Sequence, residues 1–202
     1  MRSLCATFAA ILLSLSAQAQ DAALAHIAEV NAKAGDIEAR FEQKKVIGAS
    51  GRVVKSSGTL YFSDKSFLAM VYDDPSGDLL IINGNSLKMI RGGKTAIYDT
   101  SKNTRMRSLK TILLNCIGGT PAVAAKETDT TFRLTEINDG YVVTLEAAEG
   151  QTMGYSLITL AYRRSDGMLV QMKMTEATGI TTTYVISDIT TGASVDSSVY
   201  AL

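Results

Sequence analysis

Apolar positions recur along this chain with two different periods, and the changes of period divide it into elements. Between Asp21 and Ala34, the residues Ala23, Leu24, Ile27, Ala28 and Val30 return at helical spacing until Gly35 stops the pattern. An amphipathic N-terminal helix is predicted there. The next stretch, "DIEARFEQKKVI", alternates, with Ile37, Ala39 and Phe41 on one face and Glu38, Arg40 and Glu42 on the other. That is the period of a β-strand. "SGTLYF", "FLAMVY", "DLLII", "SLKMI" and "TAIYD" follow as five more strands. Turn residues at Asp64-Lys65, Pro75-Ser76-Gly77, Asn83-Gly84-Asn85 and Gly92-Gly93-Lys94 separate them.

The helical period then returns. "TRMRSLKTILLNCIGG" puts Met106, Leu109, Ile112, Leu113, Cys116 and Ile117 on one stripe and ends at Gly118-Gly119. Its basic residues, Lys102, Arg105, Arg107 and Lys110, read as a solvated face, with a docking patch as the sharper alternative. Strands resume with "TFRLTEI", "YVVTLEA", "YSLITLAYR", "MLVQMKM" and "ITTTYVISDI". The total is about eleven strands with no helix between most neighbours, an up-and-down antiparallel meander that excludes a parallel α/β fold. The fold class is α+β, mainly β.

"FLAMVY" is apolar on both faces: Phe67, Ala69 and Val71 point one way, Leu68, Met70 and Tyr72 the other. Antiparallel sheets usually leave one face to water, so this strand needs cover on its second side. A sheet of this size curls, and a barrel of more than about eight strands is too wide for its own side chains to fill. The two helices, each with one stripe to bury, serve as plug or lid. Seven methionines follow Met1, and Met168, Met172 and Met174 share a face with Val170. Methionine suits surfaces that fit variable apolar partners, although simple core filling explains any one of them.

Composition narrows the setting. The opening "MRSLCATFAAILLSLSAQAQ" has a basic start, an apolar run and a small-residue site at Ala17-Gln18-Ala19, the signature of a secretory signal peptide over residues 1–19. Residues 20–202 then form a single exported domain, with Cys5 an apolar residue of the signal. Losing Arg2 shifts the balance of 20 basic and 20 acidic residues by one unit towards negative. Nucleic acid, which needs a concentrated basic face, is not an expected partner. Cys116 has no disulfide partner and sits at helical spacing among apolar residues, which marks a core position. With His26 as the one histidine, no metal site is expected and most acid-base schemes are removed. No GxSxG, HExxH, CxxC or phosphate-binding loop is present, and Asp73-Asp74 before Pro75 reads as a turn. Nothing in the chain demands an enzyme or a cofactor.

The order of an N-terminal helix, "FEQKK", "SGTLYF", an apolar strand, "DLLIINGNSLKMI" and a helical insertion before five closing strands resembles the LolA-like outer-membrane lipoprotein carriers. The residue-level likeness runs from about Phe41 to Ile90. The resemblance implies an incomplete antiparallel barrel with helices as lid over an apolar cavity, and a monomeric periplasmic protein that takes up lipoprotein acyl chains or other lipids. A donor complex at the inner membrane and an acceptor at the outer membrane are implied as partners. A lipid sensor or protein-interaction module of the same architecture is the alternative. The family's apolar strand maps onto Leu68 and Met70. Phe41, Leu60, Phe62, Leu80, Met89, Leu109, Ile112, Leu113, Met172 and Met174 complete the candidate cavity wall. Many members open that strand with arginine and proline, the arginine tying barrel to lid. Here Asp64 and Lys65 stand at those places.

Overall fold

A computed structural model describes residues 20–63, 66–149 and 154–202. The expected signal segment with Cys5, the Asp64-Lys65 turn, and Gly150 and Met153 of a later loop lie outside the described residues. A helix described from residue 20 to residue 33 (α1) is followed by β1 (Ile37–Ile47), β2 (Arg52–Ser63), β3 (Phe67–Asp74), β4 (Leu79–Asn83), β5 (Ser86–Arg91) and β6 (Lys94–Asp99). Two helices, α2 (Thr104–Ile117) and α3 (Pro121–Glu127), lead to β7 (Thr130–Ile137), β8 (Gly140–Ala147), β9 (Tyr155–Arg163), β10 (Leu169–Glu176) and β11 (Thr181–Thr191). The turns tighten as their residues dictate: Gly92 and Gly93, both at positive φ, close the two-residue loop between Arg91 and Lys94.

All eleven strands form one antiparallel sheet in the order β6-β5-β4-β3-β2-β1-β11-β10-β9-β8-β7. The first and last strands pair with each other, so the chain's two halves meet at β1 and β11 in mid-sheet. β6 and β7 are left as edges, and the sheet is open, an incomplete barrel. The expected fold class holds. Sequence periodicity had offered two helices, and α3 is a third, with Pro121 in its first turn.

α2 lies in the concave face. Asn103 caps its start by accepting from the Met106 amide, and Leu109, Ile112, Leu113, Cys116 and Ile117 are buried against the sheet. α1 crosses one end. Its Ile27 is fully buried, and Asn31 Nδ2 donates to the carbonyls of Ile27 and Gly167, each at 2.8 Å. Asp73 and Asp74, read from sequence as a turn, are instead the last residues of β3, and Asp73 pairs with Arg40 at 2.7 Å.

The outer side of β3 and β4 has its own cover. Ala69 and Ile81 pack under Tyr200 of a short C-terminal 3-10 turn, Ser197–Tyr200, flanked by Phe67, Leu79, Val195 and Val199. The rings of Phe67 and Tyr200 stand 5.5 Å apart, and Asn83 Nδ2 donates to the Tyr200 carbonyl at 3.2 Å. The doubly apolar "FLAMVY" is thus explained: Leu68, Met70 and Tyr72 face the concave core, while Ala69 lies beneath the C-terminal segment.

Candidate functional site

The inward series of β1 runs Ile37, Ala39, Phe41 and then Gln43. Gly58 sits opposite Phe41 on β2, and a Cβ there would fall 2.9 Å from the Phe41 ring. Its absence lets the ring lie across the neighbouring strand, where it meets Tyr72 edge-on at 5.0 Å. Beyond this aromatic floor the concave face changes character. Between α2, the β3–β4 turn and the ends of β1, β2, β4, β5 and β9–β11 lies a cavity of about 420 Å³, within the range of about 300–1,000 Å³ typical of small-molecule sites.

Leu80, Met89, Leu109, Leu113 and Met174 line its apolar side. Its opposite side is a polar chain that sequence reasoning did not single out. Tyr72 donates to Gln43 Oε1 at 2.8 Å, and Arg91 donates to the Tyr72 hydroxyl at 2.6 Å. The Arg91 guanidinium centre lies 4.0 Å from the Tyr72 ring centroid, and the group also reaches Asp78 at 3.4 Å. Asp78 is buried and accepts in addition from the Gly92 amide at 2.7 Å. Burial opposes the Arg91 charge, but Tyr72 and Asp78 outweigh it and its pKa stays raised. Burial also pushes Tyr184 well above the usual tyrosine range and Tyr155 up to about 12, with Glu176 adding to the latter. Both hydroxyls are neutral near pH 7.

At the mouth, Arg105 of α2 meets Glu176 of β10 at 3.5 Å. This is an ion pair between helix and sheet, with the arginine largely exposed. Such a pair contributes about 0–1 kcal/mol.

The twelve residues expected to form a cavity wall all belong to one apolar cluster, with Met89 partly buried at its margin. They divide by what they line. Phe41, Leu60, Met70, Leu113 and Met172 surround a void of only about 10 Å³ under α2, together with Ile117, Tyr184 and Ile186. Leu113 and Tyr184 border both this void and the open cavity. Phe62, Leu68 and Ile112 are buried and line neither space. The signal for the polar side was present in Gln43, an amide continuing an apolar inward series, and in Tyr72, the polar end of another.

Cys116 is fully buried, burial raises its thiol pKa, and its carbonyl accepts from the Tyr162 hydroxyl at 2.7 Å. It packs as a core residue. Among the described residues no group of three or more histidine, cysteine, aspartate or glutamate side chains could hold a metal ion. Nor is any described helix long and apolar enough to cross a membrane.

Solved structures share this architecture at low identity. The MucA/MucB complex of Pseudomonas aeruginosa aligns with a TM-score of 0.51 at 12% identity, covering 89% of this chain and 59% of that one. A protein of unassigned function from Thermus thermophilus aligns with a TM-score of 0.51 at 7% identity, covering 92% and 94%. A LolA superfamily protein from Nitrosomonas europaea aligns with a TM-score of 0.45 at 9% identity, covering 90% and 97%. No curated protein matches. The family model described as outer membrane lipoprotein carrier protein LolA matches residues 32–202, nearly the whole of the described fold, and the chain therefore belongs to the LolA family.

Proposed function

We propose that the protein is a periplasmic carrier that holds the acyl chains of lipoproteins in the cavity beneath α2 and delivers them towards the outer membrane. The observation that carries this reading is the cavity of about 420 Å³, apolar along Leu80, Met89, Leu109, Leu113 and Met174 and polar along Gln43, Asp78 and Arg91. An amphipathic cargo fits such a divided wall, with chains on the apolar side and the polar linkage against the hydrogen-bonded rim. Membership of a lipoprotein carrier family supports the same reading.

Burying acyl chain is worth about 0.8 kcal/mol per methylene, so a few methylenes outweigh the about 0–1 kcal/mol of a surface ion pair such as Arg105–Glu176. Cargo can therefore drive the N-terminal turns of α2 away from β10. Longer chains reach further only if α2 shifts, because the void beyond, among Phe41, Leu60, Met70 and Met172, holds about 10 Å³ as it stands. Met172 and Met174 supply side chains that can rearrange around the entering chain. The cargo passes unaltered from a donor at the inner membrane to an acceptor at the outer one, and no cofactor or catalytic group takes part. The carrier works as a monomer.

A second reading draws on the MucA/MucB complex, in which a protein sharing this fold was solved as a complex: here too the partner would be a protein. In that case occupancy of the cavity alters a protein contact. Native mass spectrometry of protein exported to the periplasm tests the carrier reading. Co-purifying lipid or lipopeptide is the expected result, and adduct-free protein that also ignores an added triacyl lipopeptide contradicts it. Mis-sorted lipoproteins in cells depleted of the protein then separate carrier from sensor.

A further inference from the structure

The hairpin of β1 and β2 runs past the cavity and ends in the turn Gly48–Ser50. From Gln43 to Ser63 the chain has no acidic residue, yet it carries Lys44, Lys45, Arg52 and Lys55. Strand register sets Lys44 directly opposite Lys55, and Val46 opposite Val53. These four side chains lie on the outer face, whereas the alternate residues Lys45 and Val54 face inward and border the cavity. Lys44 and Lys173 both flank Thr183, so Lys173 of β10 extends the outer row. At about 4.8 Å between strands, the row Lys55, Lys44, Lys173 spans about 15 Å.

Like charges directly opposite one another on a sheet repel and destabilise it. Among the described residues, Lys44, Lys55, Lys173, Lys45 and Arg52 form no ion pair, and Glu42 and Asp74 border the same outer hollow as Lys44 and Lys55 without reaching either. Glu42 and Asp74, which both flank Ser57, stand one row further from the tip. The tip is apolar as well as basic, with Val53 46% and Val54 36% exposed. The geometry points to the β1–β2 tip as a surface that docks on an anionic lipid bilayer, its valines entering the headgroup region and its lysines meeting lipid phosphates.

Scattered cations around a few exposed aliphatic side chains, without a pocket of defined shape, match a fluid charged surface better than an acidic peptide, which would need fixed partners. Docking also has a use. Lys45 and Val54 border the cavity mouth, so the tip on a bilayer sets that mouth against lipid and spares an acyl chain a passage through water.

The inference rests on the hairpin and not on what fills the cavity, and one experiment reads the two separately. The full chain is floated with phosphatidylcholine vesicles, with and without phosphatidylglycerol, and its binding of an apolar fluorescent probe is measured on the same samples. Wild type is expected to float only with the anionic vesicles and to detach as salt rises. Each lysine near an anionic surface contributes about fivefold, so Lys44→Gln with Lys55→Gln should weaken partition about 25-fold while probe binding stays intact. Val46→Ser with Val53→Ser should weaken it further, and Glu42→Gln should strengthen it. Equal binding to neutral vesicles overturns the inference, as does a lysine variant that floats like wild type. Failure of wild type to float at low salt also overturns it, and leaves the hairpin as a face for a protein partner. Wild type that floats but takes up no probe upholds the docking surface and sinks the carrier reading instead.

Discussion

At the α1 end of the concave face, Asn31 bonds to the carbonyl of Gly167 and Tyr162 bonds to that of Cys116, so that helix, strand and turn are tied to one another. At the opposite end Gln43, Tyr72, Asp78 and Arg91 bond among themselves along one wall and leave about 420 Å³ open beneath α2. The same strands run through both ends. What differs is where the polar groups spend most of their hydrogen bonds: between layers at the closed end, and along one wall at the open end, where the exposed Arg105–Glu176 pair reaches from α2 to the sheet. A fold can therefore be solid and hollow along one sheet, and each end should answer mutation differently.

The largest contrast comes from one acid placed in two positions. Met70 is 2% exposed and borders only the small void, so Met70→Glu buries a charge with no room for water and should unfold the protein, a loss of several kcal/mol. Met89, partly buried at the open cavity, can present a carboxylate to solvent. Met89→Glu should leave circular dichroism and melting close to wild type while abolishing uptake of an apolar probe. Equal behaviour of the two variants would erase the distinction between the ends.

Next in size is Ile27→Ala. Ile27 is fully buried at the closed end, and its truncation should cost about 2–4 kcal/mol in denaturant unfolding. The same measurement on Leu80→Ala, beside space that already exists, should show a smaller loss.

Alkaline titration probes the wall itself. Burial raises the Tyr155 hydroxyl to about 12, above its unfolded value of about 10. The folded state thus holds this proton more tightly, so the stability it contributes is complete below pH about 10 and is lost as pH rises towards about 12. Tyr155→Phe should flatten that decline in the unfolding midpoint.

The smallest effect belongs to the mouth. Arg105→Ala removes the Arg105–Glu176 pair and should change stability by no more than about 1 kcal/mol, yet speed amide exchange in the first turns of α2. A large loss of stability would mean that α2 is fixed there and not latched.

Most of the sheet was legible because alternation is a strong local signal: β1 buries Ile37, Ala39 and Phe41 as written, and α2 buries its stripe apart from Met106, which is half-buried. The misses have local causes too. α3, seven residues of "PAVAAKE", is too short to show a helical period, though Pro121 after Thr120 marked its start. The C-terminal segment that covers Ala69 and Ile81 is mostly polar, and Val195, Val199 and Tyr200 follow neither period cleanly. The twelve residues expected to line a cavity sit on periodic faces, and five of them, Leu80, Met89, Leu109, Leu113 and Met174, border the open space. The division into a filled and an open part was not legible, because that depends on Gln43, Tyr72, Asp78 and Arg91 meeting from four strand regions that only the sheet order brings together.

Amide hydrogen exchange with and without a saturating triacyl lipopeptide tests the central claim most directly. The account predicts altered exchange in α2 from Thr104 to about Leu113 and in β5 around Met89, with α1 and strand β8 unchanged. Exchange that is the same in every segment with lipopeptide present, or that changes in α1 and not in α2, would contradict a cargo site beneath α2.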